Sequence, residues 1–425
     1  MNAPRSAVIV GGNRTPFVKA GGAYAEASNL DLLTAALDGL AARFGLAGRQ
    51  LDEVAGGAVL KHSADFNLTR EAVLGSALAP TTPAVDLQQA CGTGLETVIY
   101  LHNKISLGQA EVGIGAGVDS ASDAPIVVTN RLRRAILAAN RAKTVPTRLA
   151  ALSAIRPAHL MPVAPQVVEP RTGLSMGEHQ AATTKRWGIT RQAQDELALA
   201  SHQHLAAAWA SGFFDDLVTG YLGVTRDGLL RADTSREKLA ALKPVFGGVD
   251  GTMTAGNSTA LTDGAATVLL AEEGWASANG LPRLARIVDA QVAAVDHTAG
   301  DDLLLAPAHA VARLLARQGM SLGDFEFYEL HEAFASTVLA TMAAWESAAY
   351  CRESLGLPDA LGSIDRDRLN VNGSSLAAGH PFAATGGRIV ASLAKQLHAH
   401  GSGARGLVSI CAAGGQGVVA ILEAV

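Results

Sequence analysis

Cysteine is scarce in this chain of 425 residues, which contains only Cys91, Cys351 and Cys411. A small, odd number of cysteines in a chain of this length argues against a disulfide framework. Free thiols persist in reducing compartments. We therefore expect a cytoplasmic protein whose cysteines stay reduced and are available for chemistry.

Long hydrophobic runs and an excess of positive charge are also missing. No stretch approaches the ~20 consecutive apolar residues of a membrane-spanning helix, and the first residues lack the apolar core of a secretory signal. The net charge is −5, whereas a general nucleic-acid binder needs a basic surface that neutralises phosphates. These deficits predict a soluble protein that does not bind nucleic acid.

Aromatic residues make up only 4% of the chain, whereas apolar residues make up 48% and glycine occupies 45 positions. Small apolar side chains favour close packing of helices on sheets in a large core. The length suggests two or three domains of ~150 residues each.

Predicted strands and helices alternate in two separate stretches of the sequence. In the first stretch, strands over 84–88 and 112–118 enclose a helix over 94–107. Alternation of this kind indicates an α/β layered domain. The glycines at 113, 115 and 117 lack the spacing and the following helix of a dinucleotide-binding fingerprint.

The second stretch repeats the order of the first. Strands over 368–371 and 406–410 enclose a helix over 384–398. Because the order is kept over so long a period, the sequence predicts a duplicated α/β domain. Equivalent loops of the two halves would then face one another.

The middle of the chain interrupts this pattern. Residues 124–168 contain no acidic residue and several prolines. The basic residues of this segment are Arg131, Arg133, Arg134, Arg141, Lys143, Arg148 and Arg156. We therefore predict three domains: an N-terminal domain (1–121 with 250–272), an inserted loop domain (122–249) and a C-terminal domain (273–425).

Cys91 is a candidate nucleophile. It lies in QQACGTGLETV, between a predicted strand and a predicted helix. A thiol at a helix N-terminus meets the positive end of the helix dipole, which lowers its pKa and favours the reactive thiolate. Gly92 and Gly94 leave room for a substrate. From context alone, a buried structural cysteine is an equally good interpretation.

His380 and Cys411 are the other candidate catalytic residues, and duplication would bring both toward Cys91. His380 follows a Gly/Ser-rich loop and precedes a proline, where it can activate a thiol or donate to an oxyanion. Cys411 ends a predicted strand before a glycine cluster, which suits a general base. A backbone-capping histidine and a core cysteine are the alternatives.

Other histidines do not form a recognisable metal site. His331 and Glu332 are followed by Ala-Phe-Ala, without the second histidine of a zinc motif. His202 and His204 lie on a polar helical segment, which favours a surface position. We therefore expect no metal ion.

The motifs in their order resemble those of the thiolase family over essentially the whole length. The matching segments are RTPF (14–17), ACGTG (90–94), TGLSMG (172–177), LKPVF (242–246), GTMTAGNSTALTDGAA (251–266), HEAFA (331–335), NVNGSSLAAGHPFAATGGR (370–388) and CAAGGQG (411–417). The resemblance implies the thiolase fold, in which two duplicated α/β domains form a five-layer αβαβα core that carries an inserted loop domain.

The resemblance also implies roles for the candidate residues. Cys91 would accept the acyl group, His380 would activate it, and Cys411 would act as the acid and base. The backbone N–H groups of Cys91 and Ala413 would form the oxyanion hole. His331 stands where many thiolases have asparagine, a form that is similar to the β-subunits of fatty-acid-oxidation complexes.

The same comparison places Met176, Thr259 and Phe334 along the tunnel for the pantetheine arm of coenzyme A. Coenzyme A and acyl-CoA would be substrates, and no metal or redox cofactor would be needed. The implied activity is reversible thiolytic cleavage of 3-ketoacyl-CoA in β-oxidation. Synthesis of acetoacetyl-CoA from two acetyl-CoA molecules is the alternative, and a non-catalytic acyl-CoA-binding subunit is an alternative of another class.

A decarboxylating condensing enzyme of the same fold is disfavoured, since such enzymes use a cysteine with two histidines and no second thiol. The resemblance implies a homodimer or a dimer of dimers, and a hydratase/dehydrogenase α-subunit is a candidate partner. The basic segment 124–168 is a candidate for binding CoA phosphates, a partner or a membrane surface. A solvated loop is the alternative.

Overall fold

The computed structural model describes residues 5–165 and 167–425. The chain divides into two compact units. The larger unit comprises the described residues up to Val59, Asn67–Asp123 and Val168–Val425, and the smaller unit comprises Leu60–Phe66 and the described residues of Ala124–Val167. Every helix of the described residues is too short or too polar to cross a lipid bilayer.

The strands are β1 (Ala7–Arg14), β2 (Val18–Lys19), β3 (Glu53–Gly56), β4 (Ala84–Asp86), β5 (Val112–Ser120), β6 (Val127–Val128), β7 (Pro162–Val163), β8 (Pro244–Phe246), β9 (Met253–Thr254), β10 (Thr262–Glu272), β11 (Ala285–Ala294), β12 (Phe327–Leu330), β13 (Arg405–Ala412) and β14 (Gln416–Ala424). The α-helices are α1 (Asn29–Phe44), α2 (Leu68–Gly75), α3 (Thr93–Ser106), α4 (Asn130–Arg141), α5 (Val145–Ser153), α6 (Met176–Arg186), α7 (Arg191–Ala210), α8 (Arg236–Ala240), α9 (Glu273–Ala278), α10 (Ala306–Gln318), α11 (Ala335–Glu346), α12 (Ala348–Tyr350), α13 (Ser375–Ala378) and α14 (Ala384–His400).

A ten-stranded sheet runs through the larger unit in the order β12-β13-β14-β11-β1-β10-β5-β3-β4, with β2 attached to β10. At its middle, β1 and β11 pair through Val8 with Arg286 and Ile9 with Ala285. Outward from this junction, β1, β10, β5 and β3 are joined by two antiparallel pairings and then a parallel one. The strands β11, β14, β13 and β12 repeat that series. The predicted duplication is confirmed.

Helices complete five layers around the two halves of the sheet. Helices α3 and α14 pack on one another and contact strands of both halves. Helices α1 and α2 cover the N-terminal half, and α10 covers the C-terminal half. Separate apolar clusters contain Leu95 with Ile389 in the middle, Leu37 of α1 and Val311 of α10. This arrangement is the αβαβα core that the sequence predicts.

Strand β5 shows why the middle helices can lie so close to the sheet. Its alternate apolar side chains face the cluster that contains α1, whereas its glycines face α3 and α14. A Cβ at Gly115 would lie 2.9 Å from Cγ2 of Val98, and a Cβ at Gly117 would overlap the carbonyl oxygen of Ala383. The glycine pattern of this strand therefore serves helix–sheet packing.

The first turns of α3 and α14 also touch through glycine. A Cβ at Gly94 would overlap the backbone of the chain that enters α14, and a Cβ at Gly386 would overlap the backbone nitrogen of Leu95. Only glycine permits so close an approach. As a result, Cys91 and His380, which precede the two helices, lie at the same end of the central layer.

The predicted strand over 368–371 is wrong. The chain instead forms a 3₁₀ turn over Arg366–Arg368 and a single isolated bridge to β12. Asn370 has a φ of 48°, which ends the extended backbone. Its side chain takes over the pairing, since Oδ1 accepts from the Leu330 N–H at 3.0 Å and Nδ2 donates to the Leu330 carbonyl at 2.9 Å.

The smaller unit is built on two short helices. Helices α4 and α5 pack against one another, and β6 pairs with β7. Thr129 and Thr144 cap the helices through their hydroxyl oxygens. Leu137 is 42% exposed and Leu149 is 61% exposed, and the arginines of both helices are exposed as well. This unit therefore presents apolar and basic groups to solvent.

Candidate active site

The loop between β4 and α3 holds Cys91 in a strained turn. Ala90 has a φ of 46°, a conformation that costs free energy for any residue with a Cβ. The turn is fixed by Thr93, whose hydroxyl donates to the Ala90 carbonyl at 2.7 Å and accepts from the Gln89 N–H at 2.8 Å. Cys91 as a whole residue is partly exposed.

His380 lies against this sulfur. Its Nε2 is 3.2 Å from Sγ of Cys91, and its Nδ1 is 2.7 Å from the Thr385 hydroxyl. The His380 backbone N–H donates to the hydroxyl of Thr262 at 2.8 Å, which anchors the loop to β10. If Nδ1 carries the proton and donates it to Thr385, Nε2 is left to accept the thiol proton.

Burial favours the uncharged form of both members of this pair. It raises the pKa of the Cys91 thiol to about 12, against the lowering effect of the backbone N–H groups of Ala413 and Cys91. Burial and the nearby Arg388 lower the pKa of His380 to about 3. The sequence-based expectation of a lowered thiol pKa is wrong here, because desolvation outweighs the donors at the helix end.

Two backbone donors converge on the nucleophile. The backbone N–H groups of Ala413 and of Cys91 itself lie close enough to the Cys91 sulfur to lower the pKa of the thiol. The loop that carries Ala413 is tied to the Cys91 loop, since Gln89 Nε2 donates to Oε1 of Gln416 at 3.2 Å. Donors in this position can stabilise the oxygen of an acyl group attached to Cys91.

His331 packs against His380, with ring centroids 4.1 Å apart and ring planes tilted by 45°. Its Nδ1 is 2.8 Å from the Ser375 hydroxyl, whereas its buried Nε2 has no hydrogen-bond partner among the described residues. Burial, His380 and Arg388 hold the pKa of His331 well below its usual value. A neutral, unpartnered ring nitrogen next to His380 is available to a bound substrate or a water molecule.

Cys411 lies at the end of β13 and shares a small cavity with His331. Burial, together with the proximity of Cys91, raises the pKa of the Cys411 thiol. Met176 and Phe334 belong to the same apolar cluster as Cys411. The Thr259 hydroxyl donates to the carbonyl of Ala333, beside Phe334, at 3.1 Å. Met176 and Phe334 thus pack in the same cluster as Cys411, and Thr259 contacts the residue before Phe334.

Several supporting residues were not predicted from the sequence. Arg388 is buried in α14, and its Nη2 donates to the hydroxyls of Ser374 at 3.2 Å and Ser375 at 3.1 Å. Ser375 in turn contacts His331. Glu329 lies near Arg388, and burial raises its pKa to about 8. A charged residue inside an otherwise apolar helix or strand was the signal that could have identified Arg388 and Glu329.

Comparison with known proteins defines the class to which this fold and site belong. The family model for the thiolase N-terminal domain matches residues 7–274, and the model for the thiolase C-terminal domain matches residues 281–424. The chain therefore belongs to the thiolase family, a family of acyltransferases.

Individual relatives include 3-ketoacyl-CoA thiolases and an acetyl-CoA acetyltransferase. The 3-ketoacyl-CoA thiolases of Yersinia pestis (strain Pestoides F) and Yersinia pseudotuberculosis (serotype O:1b, strain IP 31758) are each 39% identical over 422 residues, which cover 98% of this chain and 96% of the relative. The crystal structure of Bacillus anthracis acetyl-CoA acetyltransferase has a TM-score of 0.81, with 31% identity and full coverage of both chains. Human mitochondrial 3-ketoacyl-CoA thiolase in complex with CoA has a TM-score of 0.80, with 28% identity over 99% of this chain and 98% of that one.

Proposed function

We propose that this protein is a 3-ketoacyl-CoA thiolase of fatty-acid β-oxidation, which uses CoA to cleave 3-ketoacyl-CoA into acetyl-CoA and a shortened acyl-CoA. The observation that carries the proposal is the 3.2 Å approach of His380 Nε2 to Cys91 Sγ. The backbone N–H groups of Cys91 and Ala413 also lie close enough to lower the pKa of this thiol. The 39% identity to 3-ketoacyl-CoA thiolases supports this substrate class.

The site residues can carry the reaction in two half-reactions. His380 takes the proton of Cys91 as the sulfur attacks the 3-keto carbon, and the N–H groups of Cys91 and Ala413 stabilise the oxyanion. The bond between C2 and C3 then breaks, acetyl-CoA leaves as an enolate, and Cys411 protonates it. His331 would donate to the enolate oxygen. In the second half-reaction the thiol of CoA attacks the acyl group on Cys91 and gives its proton to the Cys411 thiolate, while the Cys91 sulfur leaves and takes its proton back from His380.

Met176, Thr259 and Phe334 would line the path of the pantetheine arm, with CoA and acyl-CoA as the substrates. The domain division (1–121 with 250–272, 122–249 and 273–425) is part of the same proposal. The two family models, which end at 274 and begin at 281, support the last boundary. A cytoplasmic location accords with the free thiols of all three cysteines.

The test is turnover of acetoacetyl-CoA with CoA, followed as loss of the ketoacyl absorbance. We expect turnover by the wild type and none by Cys91→Ser, because an alcohol in this site is a far weaker nucleophile than a thiol. Mass spectrometry should find the acyl group on Cys91 of the wild type alone. A folded wild type without turnover would favour the non-catalytic subunit instead.

A second candidate is acetoacetyl-CoA synthesis, which the similarity to the Bacillus anthracis acetyl-CoA acetyltransferase favours. A series of 3-ketoacyl-CoA substrates of increasing chain length separates the two. A kcat/KM that rises beyond four carbons supports the degradative role, and activity confined to acetoacetyl-CoA supports the synthetic one.

We propose that the smaller unit contacts a partner subunit or an anionic membrane surface, because exposed Leu137 and Leu149 accompany exposed arginines. Flotation with anionic phospholipid vesicles tests the second contact. A partner subunit of the hydratase/dehydrogenase type is tested by co-purification of the two defined chains.

A further inference from the structure

Glu169 lies near the start of Val168–Val425, the last part of the larger unit. Its carboxylate contacts the loop that follows Cys411. Glu169 is 6% exposed, and its Oε1 accepts from the Gly414 N–H at 2.6 Å. Gly414 directly follows Ala413, whose backbone N–H lies close enough to Cys91 to lower the pKa of its thiol. A buried, charge-assisted hydrogen bond thus lies one residue from an oxyanion-hole donor.

Glu169 is itself firmly held. Its backbone N–H donates to the Leu174 carbonyl at 2.9 Å, and its carbonyl accepts from the Gly173 N–H at 2.8 Å. On the other side, Nε2 of His297 lies 3.7 Å from Oε2 of Glu169, and these two side chains are only 10% and 7% exposed. The Glu169 carboxylate therefore has a defined position from which to hold the loop.

The loop needs such an external anchor. Gly414 and Gly415 have φ values of 78° and 70°, in a region where glycine moves with little restraint. The Gly415 carbonyl accepts from the Val295 N–H at 2.8 Å, which fixes the far side of the turn. Among the described contacts, the hydrogen bond from the Gly414 N–H to Glu169 fixes the orientation of the peptide group between Ala413 and Gly414.

We propose that Glu169 is a positioning residue of the oxyanion hole, which keeps the Ala413 N–H directed at the acyl oxygen on Cys91. This inference rests on the proposed thiolase function. It assigns a role to a residue that lies outside the catalytic motifs and acts through the backbone.

The test compares two reactions of Cys91 in Glu169→Ala. Acetylation by acetyl-CoA forms an S–C bond to Cys91 and breaks the S–C bond to CoA, the thiol proton passes to the CoA sulfur, and the intermediate carries an oxyanion. Alkylation by iodoacetamide displaces iodide and forms no oxyanion. We expect acetylation to slow by about 10- to 100-fold, somewhat less than the loss of a whole oxyanion donor, while alkylation changes less than about threefold.

Two further variants test whether the effect depends on the charge of Glu169 and on its contact with the loop. Glu169→Gln keeps an acceptor oxygen without the charge, so its acetylation rate should fall between wild type and Glu169→Ala, with KM for acetyl-CoA nearly constant. Glu178→Ala is the matched control, because the exposed Glu178 carboxylate caps α6 and does not bond to the loop. It should acetylate like the wild type.

Wild-type acetylation in Glu169→Ala, or a parallel loss of acetylation and alkylation, would overturn the proposal. Turnover of acetoacetyl-CoA by the wild type is measured in the same series. A wild type that fails there contradicts the thiolase function itself, whereas an active wild type with an unaffected Glu169→Ala contradicts only the role of Glu169.

Discussion

Single residues in this site are tuned mainly by burial. Cys91, His380, His331 and Cys411 all have pKa values shifted toward their neutral forms, with desolvation as the largest cause in each case. A neutral thiol beside a neutral imidazole reacts only slowly with passing electrophiles. The Cys91 proton then passes to His380 only when a substrate is bound, because the developing oxyanion of the substrate accepts hydrogen bonds from the N–H groups of Cys91 and Ala413.

Glu329 gives a measurable consequence of the same burial. Its pKa is raised to about 8 in the folded chain, from an ordinary value of 4.5. A group with a raised folded pKa stabilises the fold below its unfolded pKa and loses that contribution as the pH rises through the folded pKa. Between pH 5 and 8, Glu329→Gln should therefore gain roughly 2–4 kcal/mol in free energy of unfolding relative to wild type.

Urea unfolding at several pH values measures this difference. The control is Glu353→Gln, because Glu353 is exposed to solvent, and its free energy of unfolding should stay within about 0.5 kcal/mol of the wild-type value. Parallel pH profiles for Glu329→Gln and wild type would show that Glu329 is ionised in the fold.

At the scale of elements, the crossing of α3 and α14 sets the catalytic distance. Gly386→Ala places a Cβ on the backbone of Leu95, so the helices must separate, at a cost of about 1–3 kcal/mol. Because a misplacement of ~1 Å can reduce catalysis by about 10²-fold, we expect kcat for thiolysis to fall by that order. Steady-state kinetics and thermal unfolding check both effects.

Gly75→Ala is the control for this substitution. Gly75 ends α2, and a Cβ there would meet the Thr34 hydroxyl at an ordinary 3.6 Å. The variant should keep its activity and gain slightly in stability, as alanine is the better helix former. Equal kinetics for Gly386→Ala and wild type would mean that the helix crossing tolerates adjustment.

These elements also show what sequence could and could not reveal. Alternating strands and helices predicted the duplicated layers, because periodicity is a local property of the chain. The prediction of a strand over 368–371 was wrong because the side chain of Asn370 forms the hydrogen bonds to Leu330 that the backbone of a strand would form. The contact of Glu169 could not be predicted from the sequence, because its partner Gly414 is 245 positions away and no local pattern encodes such a contact.

At the scale of the whole molecule, the edge of the sheet formed by β4 is a candidate for pairing with a second copy of this chain. β4 ends the strand order and pairs with β3 alone among the described residues. Val54 and Leu87 donate to the carbonyls of Pro83 and Gly56, so residues 83, 85 and 87 face β3. By alternation, the backbone groups of Ala84 face outward. A sheet edge of this kind promotes pairing with another chain.

We therefore expect a dimer in which the β4 strands of two copies pair, as the resemblance to the family also implies. Ala84→Pro removes the outward N–H and should shift the protein toward single chains, because proline cannot donate to an intermolecular ladder. Ala84→Gly keeps that N–H and should remain dimeric. Light scattering across a dilution series distinguishes them, and an Ala84→Pro variant as dimeric as wild type would place the interface elsewhere.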